Sequence, residues 1–96
     1  MIVQAKNARW DRKLRECKNL HERNKLIMNS GTYRCATLWD FKNKREFFRP
    51  AVGNFIIHGL TEHDNFRYDT EYEAIEKGEE MYQILVTELT HKEDGN

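Results

Sequence analysis

Ninety-six residues with sixteen Lys and Arg, sixteen Asp and Glu, 39% hydrophobic residues and eleven aromatics fit one domain with a single core, and exclude a disordered chain. No apolar run approaches the roughly 20 residues of a membrane span, and MIVQAKNARW lacks the apolar centre of a secretion signal, so the expected location is cytoplasmic. The net charge of zero hides a division, since residues 1–50 carry thirteen Lys and Arg against five Asp and Glu, and residues 51–96 carry three against eleven. Such a split suits a basic contact surface, or attraction between the halves within one chain or across a dimer.

Residues 1–6 and 92–96 are expected to fray at the ends of a single domain spanning 1–96. From Asn7 to Asn29 the apolar positions Trp10, Leu14, Cys17 and Met28, flanked by Leu20 and Ile27, recur at helical spacing, and NSG at 29–31 supplies a stop. His21 and Asn24 fall inside this stripe, while Arg12 and Arg15 belong to a basic solvent face. Cys17 and Cys35 stand apart from each other and from any metal-binding spacing, and read as reduced, half-buried hydrophobes.

The block TYRCATLWDFKNKREFFRPAVGNFIIHGL is rich in aromatic and β-branched residues. Turn formers at Asp40 to Lys44 and Pro50 to Gly53 divide it into strands near 32–39, 45–49 and 54–60, a three-stranded antiparallel meander. Adjacent apolar pairs (Leu38 and Trp39, Phe47 and Phe48, Ile56 and Ile57) point to opposite faces, so both faces are partly apolar. Either a helix covers each face, or one face is open to a partner.

After a polar connector, Thr70 and Glu73 form a capping box and a long helix follows. Its stripe is Ile75, Gly78, Tyr82, Leu85 and Leu89, edged by Ala74, Met81 and Val86. Glycine inside a helix costs about 1 kcal/mol relative to alanine, so Gly78 implies a close crossing against the sheet, with a bulky residue such as Trp39 or a phenylalanine in the way. The expected fold class is α+β, in the order α-β-β-β-α, with the C-terminal helix on the meander and the N-terminal helix on its other face or at its edge.

Chemical motifs are sparse. HERNK begins like H-E-x-x-H but ends in Lys25, and His58, Glu62, His63 and Asp64 have no spacing that fixes a metal. Ser30 lies in a helix stop, and neither cysteine has a neighbouring base. The chain calls for no cofactor, no metal and no catalytic set. DFKNKREFFRP is the most suggestive stretch, because Trp39, Phe41 and Phe48 interleave with Lys42, Lys44, Arg45 and Arg49. Cations neutralise phosphates or acidic protein surfaces while aromatic faces stack or wedge.

A meander followed by T-x-x-E-A, here Thr70 to Ala74, and an amphipathic helix is similar to the arm-binding domains of phage integrases, small β-sheet DNA readers, although the N-terminal helix departs from their pattern. The chain also resembles the short orphan proteins of phages, compact sheet-and-helix folds without active sites that inhibit host enzymes or defence complexes. The expected function is a non-enzymatic binding protein that occludes or modulates a larger macromolecule, in the manner of a phage-type inhibitor of a host nucleic-acid-handling or defence complex, and the basic-aromatic pattern makes Trp39, Phe41, Lys42, Lys44, Arg45, Phe48, Arg49, Arg12 and Arg15 its expected contact surface. Direct DNA or RNA binding through the same residues is the first alternative, and a structural homodimer the second.

Overall fold

The computed structural model describes residues 2–65 and 67–94, the last four as backbone only. Seven elements run in the order β1 (Ile2–Ala5), α1 (Ala8–Arg15), α2 (Leu20–Asn29), β2 (Tyr33–Asp40), β3 (Arg45–Val52), β4 (Phe55–His58) and α3 (Glu71–Asp94). The class is α+β, but the sheet has four antiparallel strands rather than three, in the order β1-β4-β3-β2.

The fourth strand lies within the segment 1–6, to which the sequence assigns no regular element. Ile2 to Ala5 pair with His58 to Phe55, and Val3 and Ala5 pack on the core. Four residues are too few to announce a strand by alternation alone. At the other end the helix continues to Asp94, and residues 95 and 96 of the segment expected to fray lie outside the described residues.

The single helix expected over 7–29 is two. Asn7 caps α1 by accepting from the Trp10 N–H, and Asn19 caps α2 by accepting from the Glu22 N–H at 2.9 Å. Glu22 reaches back to the Lys18 N–H at 2.7 Å. This reciprocal pattern satisfies amide groups that an uninterrupted helix would not leave free, so Lys18 and Asn19 start a new helix within a continuous apolar stripe.

β2 and β3 pair along eight residues, from Tyr33 opposite Val52 to Asp40 opposite Arg45. The second turn is shorter than expected. Pro50 lies within β3 opposite Cys35, and only Gly53 and Asn54 separate β3 from β4. Gly53 adopts φ 56, and a Cβ there would sit 2.0 Å from Ser30 Oγ. Both demands exclude a side chain. Asn54 then ties the turn to the end of α2 through its N–H to Ser30 Oγ and its Nδ2 to the Ser30 carbonyl.

Strand alternation assigns the faces. Val3, Ala5, Tyr33, Val52, Phe55 and Ile57 share a cluster with Trp10, Ile27, Met81 and Leu85 of the helices. The Trp10 and Phe55 rings meet edge to face, 5.8 Å between centroids. Ala36, Leu38, Ala51 and Ile56, on the opposite face, form a separate cluster with no helical residue. All three helices therefore cover one face, and the expectation that the N-terminal helix takes the other face or the edge is corrected. Asn24 of α2 links two of the helices, its Nδ2 donating to Glu88 of α3 at 3.2 Å.

On α3 the buried line is Ala74, Gly78, Met81 and Leu85, while Ile75 is 39% exposed. The stripe is turned by one position from the sequence reading. A Cβ on Gly78 would lie 3.2 Å from the Arg34 carbonyl oxygen and 3.6 Å from that of Ala51. The obstacle is thus strand backbone rather than a bulky side chain. Among the described residues no helix is long and apolar enough to cross a membrane.

Candidate interaction surface

The basic and aromatic residues singled out in the sequence divide into three groups. Arg49 is fully buried and leaves the candidate surface altogether. Its Nη2 donates to Asp64 Oδ2 at 2.8 Å, its Nη1 to Asp64 Oδ1 at 3.0 Å, and Nη1 also reaches the Asn65 carbonyl. A third acceptor explains why the arginine is here. Val52 and Phe55 face each other across the two-residue turn, so the next hydrogen-bonded pair along β3 and β4 would be Pro50 with Ile57. Proline has no N–H to give, and Arg49 Nη2 donates to the Ile57 carbonyl at 2.6 Å in its place.

Asp64 completes the arrangement by accepting from the Gly59 N–H at 2.7 Å and the Tyr68 hydroxyl at 2.9 Å. Burial would raise its pKa, but these donors, Arg49 first, outweigh burial and hold it below the usual carboxylate value. Tyr68 is pushed up to about 12, chiefly by burial. Its backbone exchanges two hydrogen bonds with Phe48, which places the half-buried Phe48 beside the connector, residues 61–69, where it pairs antiparallel with β3. Asp64, considered as a metal ligand in the sequence, is thus bonded to Arg49 and its neighbours. Among the described residues no group of three or more His, Cys, Asp and Glu is placed to hold a metal ion. His58, beside this network, has its pKa lowered by burial and then by Arg49.

The second group is Arg12 and Arg15. They lie on α1, which packs at the Phe55 end of the sheet, while the β2–β3 turn lies at the other end of strands eight residues long. At about 3.3 Å per residue that is a separation of roughly 23 Å. Arg15 is engaged by Asp11 at 3.0 Å. The structure does not bring these two arginines together with the hairpin.

The third group is the hairpin tip. Phe41 is 84% exposed and Trp39 49% exposed, and Lys42 and Lys44 are exposed beside them. Below the tip, Asp40 is buried and accepts from the Lys42 and Asn43 N–H groups, from Asn43 Nδ2 at 2.7 Å and from Arg67 Nη1 at 2.7 Å. The Asn43 side chain above all keeps its carboxyl below the ordinary value. Arg67 in turn stacks on Phe47, 4.3 Å from the ring centroid. Arg45 is bonded to Asp69, both exposed, which sets the acidic start of α3 next to the hairpin base. The turn is therefore braced from beneath while its aromatic and two lysines face outward. Lys44 holds φ 52, the one positive value at a non-glycine residue among those described.

The connector also closes one end of the helix-free sheet face. Between it and β1 lies a cleft of about 560 Å3 lined by Ile2, Gln4, Leu38, Phe47 and His58. Its walls are mainly apolar, and Arg49 and Asp64 at its end are occupied with each other. Both cysteines are half-buried, with thiol pKa values raised by burial, the opposite of what a nucleophile needs.

No protein-family model, curated protein or solved structure matches the chain.

Proposed function

We propose that this is a non-enzymatic binding protein that docks on a larger macromolecule through its β2–β3 hairpin tip and so occludes or modulates it. The supporting observation is the fully braced turn that carries Phe41 at 84% exposure. A phenylalanine presented this way loses little further freedom on docking, which favours its use as an anchor. Lys44 adds to the argument. A left-handed backbone costs an ordinary residue about 1 kcal/mol that glycine avoids, so a lysine kept there is best understood through its charge.

The partner surface is acidic protein, with Lys42 and Lys44 meeting its carboxylates around a pocket for Phe41. Direct nucleic-acid binding is disfavoured by three placements: Arg49 is internal, Arg45 is bonded to Asp69, and Arg12 and Arg15 lie at the far end of the sheet. The acidic first turn of α3 adds repulsion near the tip. In the proposed role the protein acts as the small phage inhibitors do, against a host nucleic-acid-handling or defence complex.

Affinity capture from host extract, with wild type and a Phe41→Ala, Lys44→Ala variant side by side, tests this reading. The expected result is a partner retained by wild type and lost from the variant. Identical capture by both would rule out docking through the tip. Oligonucleotide anisotropy at low salt should show no binding, and tight, salt-sensitive binding would make the protein a nucleic-acid reader instead.

A further inference from the structure

Sheet edges expose backbone donors and acceptors, and natural proteins blunt them with short strands, prolines, bulges or charges. The β1 edge is short, at four residues. The β2 edge is not. Tyr33 to Asp40 form eight strand residues, YRCATLWD, with no proline or glycine and with charges only at Arg34 and Asp40. The Gly53 N–H donates to the Thr32 carbonyl, so in the antiparallel alternation Arg34, Ala36, Leu38 and Asp40 turn their backbone groups toward β3. Tyr33, Cys35, Thr37 and Trp39 therefore turn theirs outward. Thr37 and Trp39 are exposed.

We propose that β2 is a dimerisation edge, which pairs antiparallel with β2 of a second copy about a two-fold axis through Thr37. Outward residues must meet outward residues, and facing residues must share a sheet face, which restricts the register to steps of one residue in the position of the axis. With the axis at Thr37, Thr37 meets its own copy, Ala36 meets Leu38 of the partner subunit and Cys35 meets Trp39 of the partner subunit. Arg34 then stands opposite Asp40 of the partner subunit, twice by symmetry. The strand is thus self-complementary in charge, and like charges never face. With the axis at Ala36, Arg34 would face Leu38 of the partner subunit and this pairing would be lost.

Arg34 has capacity for the added contact, whereas Asp40 already accepts from Lys42, Asn43 and Arg67 and contributes the sign of its charge rather than a free acceptor. Arg34 donates from Nε to the Gly53 carbonyl at 2.6 Å and makes only a long contact, 3.4 Å, from Nη1 to the Cys35 carbonyl. The joined sheet would have eight strands with all helices on one side, and the apolar strip of Ala36 and Leu38 would run across the joint on the other. Lys42 and Lys44 lie beyond the paired residues, while Tyr33 falls opposite Phe41 of the partner subunit at the end of the ladder, so the edge is tested on the purified chain, where no partner occupies the tip.

Sedimentation equilibrium of the full chain is the test. Wild type is expected at twice the chain mass at tens of micromolar. Thr37→Lys, which sets two cations face to face on the axis at an exposed position, is expected to be monomeric with an unchanged circular dichroism spectrum. Trp39→Cys, treated with copper phenanthroline, is expected to form a dimer crosslinked through Cys35 of the partner subunit, and to lose it when Cys35→Ser is added. Within one chain the two positions are roughly 13 Å apart in an extended strand, so they cannot bond to each other. A wild-type monomer at all concentrations, a dimeric Thr37→Lys, or a Trp39→Cys dimer without the crosslink would each overturn the proposal.

Discussion

Arg49 and Phe41 show how little of a side chain's role its type reveals. In sequence both belong to one aromatic-basic stretch, yet Arg49 is buried and Phe41 is 84% exposed. What separates them is Pro50, whose missing N–H leaves the Ile57 carbonyl to be satisfied, and Asp64, fifteen residues away in sequence, which supplies the countercharge. A buried pair is fragile when one member is removed. Asp64→Asn should lower stability by about 3–5 kcal/mol in urea denaturation, since it leaves the guanidinium buried without its countercharge. A change within about 0.5 kcal/mol, the usual result at a surface, would contradict the placement of Arg49.

The pH dependence follows from the same groups. His58 has a folded pKa below its ordinary 6.5, so on acidification the unfolded chain takes up the proton first and stability begins to fall as pH drops through 6.5. Asp64 and Asp40, with folded values below 3.8, add stability above that pH and lose it as pH falls through their folded values. Urea midpoints measured against pH should therefore decline in two stages. His58→Gln should flatten the first and leave the second. Lys44 carries the converse prediction about the tip: Lys44→Gly should raise stability by about 1 kcal/mol while weakening capture of the partner. Gain in both, or loss of stability, would mean that the lysine is not held there for its charge.

Among the elements, the long C-terminal helix was legible because Thr70 and Glu73 signal its start and the apolar period continues for several turns. The Glu73 N–H indeed donates to Thr70 Oγ1 at 3.2 Å. The first hairpin was legible from Asp40 to Lys44. β1 was not, because four residues gain their meaning only from the pairing with β4. The break between α1 and α2 was readable in principle from Asn19 and Glu22, but an unbroken apolar stripe obscured it. Pro50 misled because prolines usually mark turns, whereas here Arg49 supplies the donor that proline lacks.

Gly78 connects helix to sheet. Alanine would gain about 1 kcal/mol in helix propensity but would press a methyl group against the Arg34 carbonyl at 3.2 Å, where strand backbone has little room to give. Overpacking typically costs 1–3 kcal/mol, so Gly78→Ala should lower the melting temperature. A rise would show that α3 can move off the strands.

Over the whole molecule, the opposite charges of the two halves are partly spent inside the fold. Arg49 with Asp64 and Arg45 with Asp69 join the basic first half to the acidic second. That use could not be read from net charge, which gives sign without position. The sequence reading left open whether one sheet face is bare, and the helices settle it by gathering on the other face, around Ile27, Phe55, Met81 and Leu85. What remains outward is a braced hairpin tip at one end, an unblunted β2 edge, and a sheet face whose apolar residues are partly roofed by the connector.

Site-specific photo-crosslinking probes docking at the tip itself, with Phe41 replaced by benzoylphenylalanine and the protein irradiated in host extract. An identical probe at Glu79, on the exposed side of α3, serves as the control. Docking through the tip predicts a discrete adduct with one macromolecule from position 41 and none from position 79. No adduct from position 41, or the same adducts from both, would contradict docking through the hairpin tip.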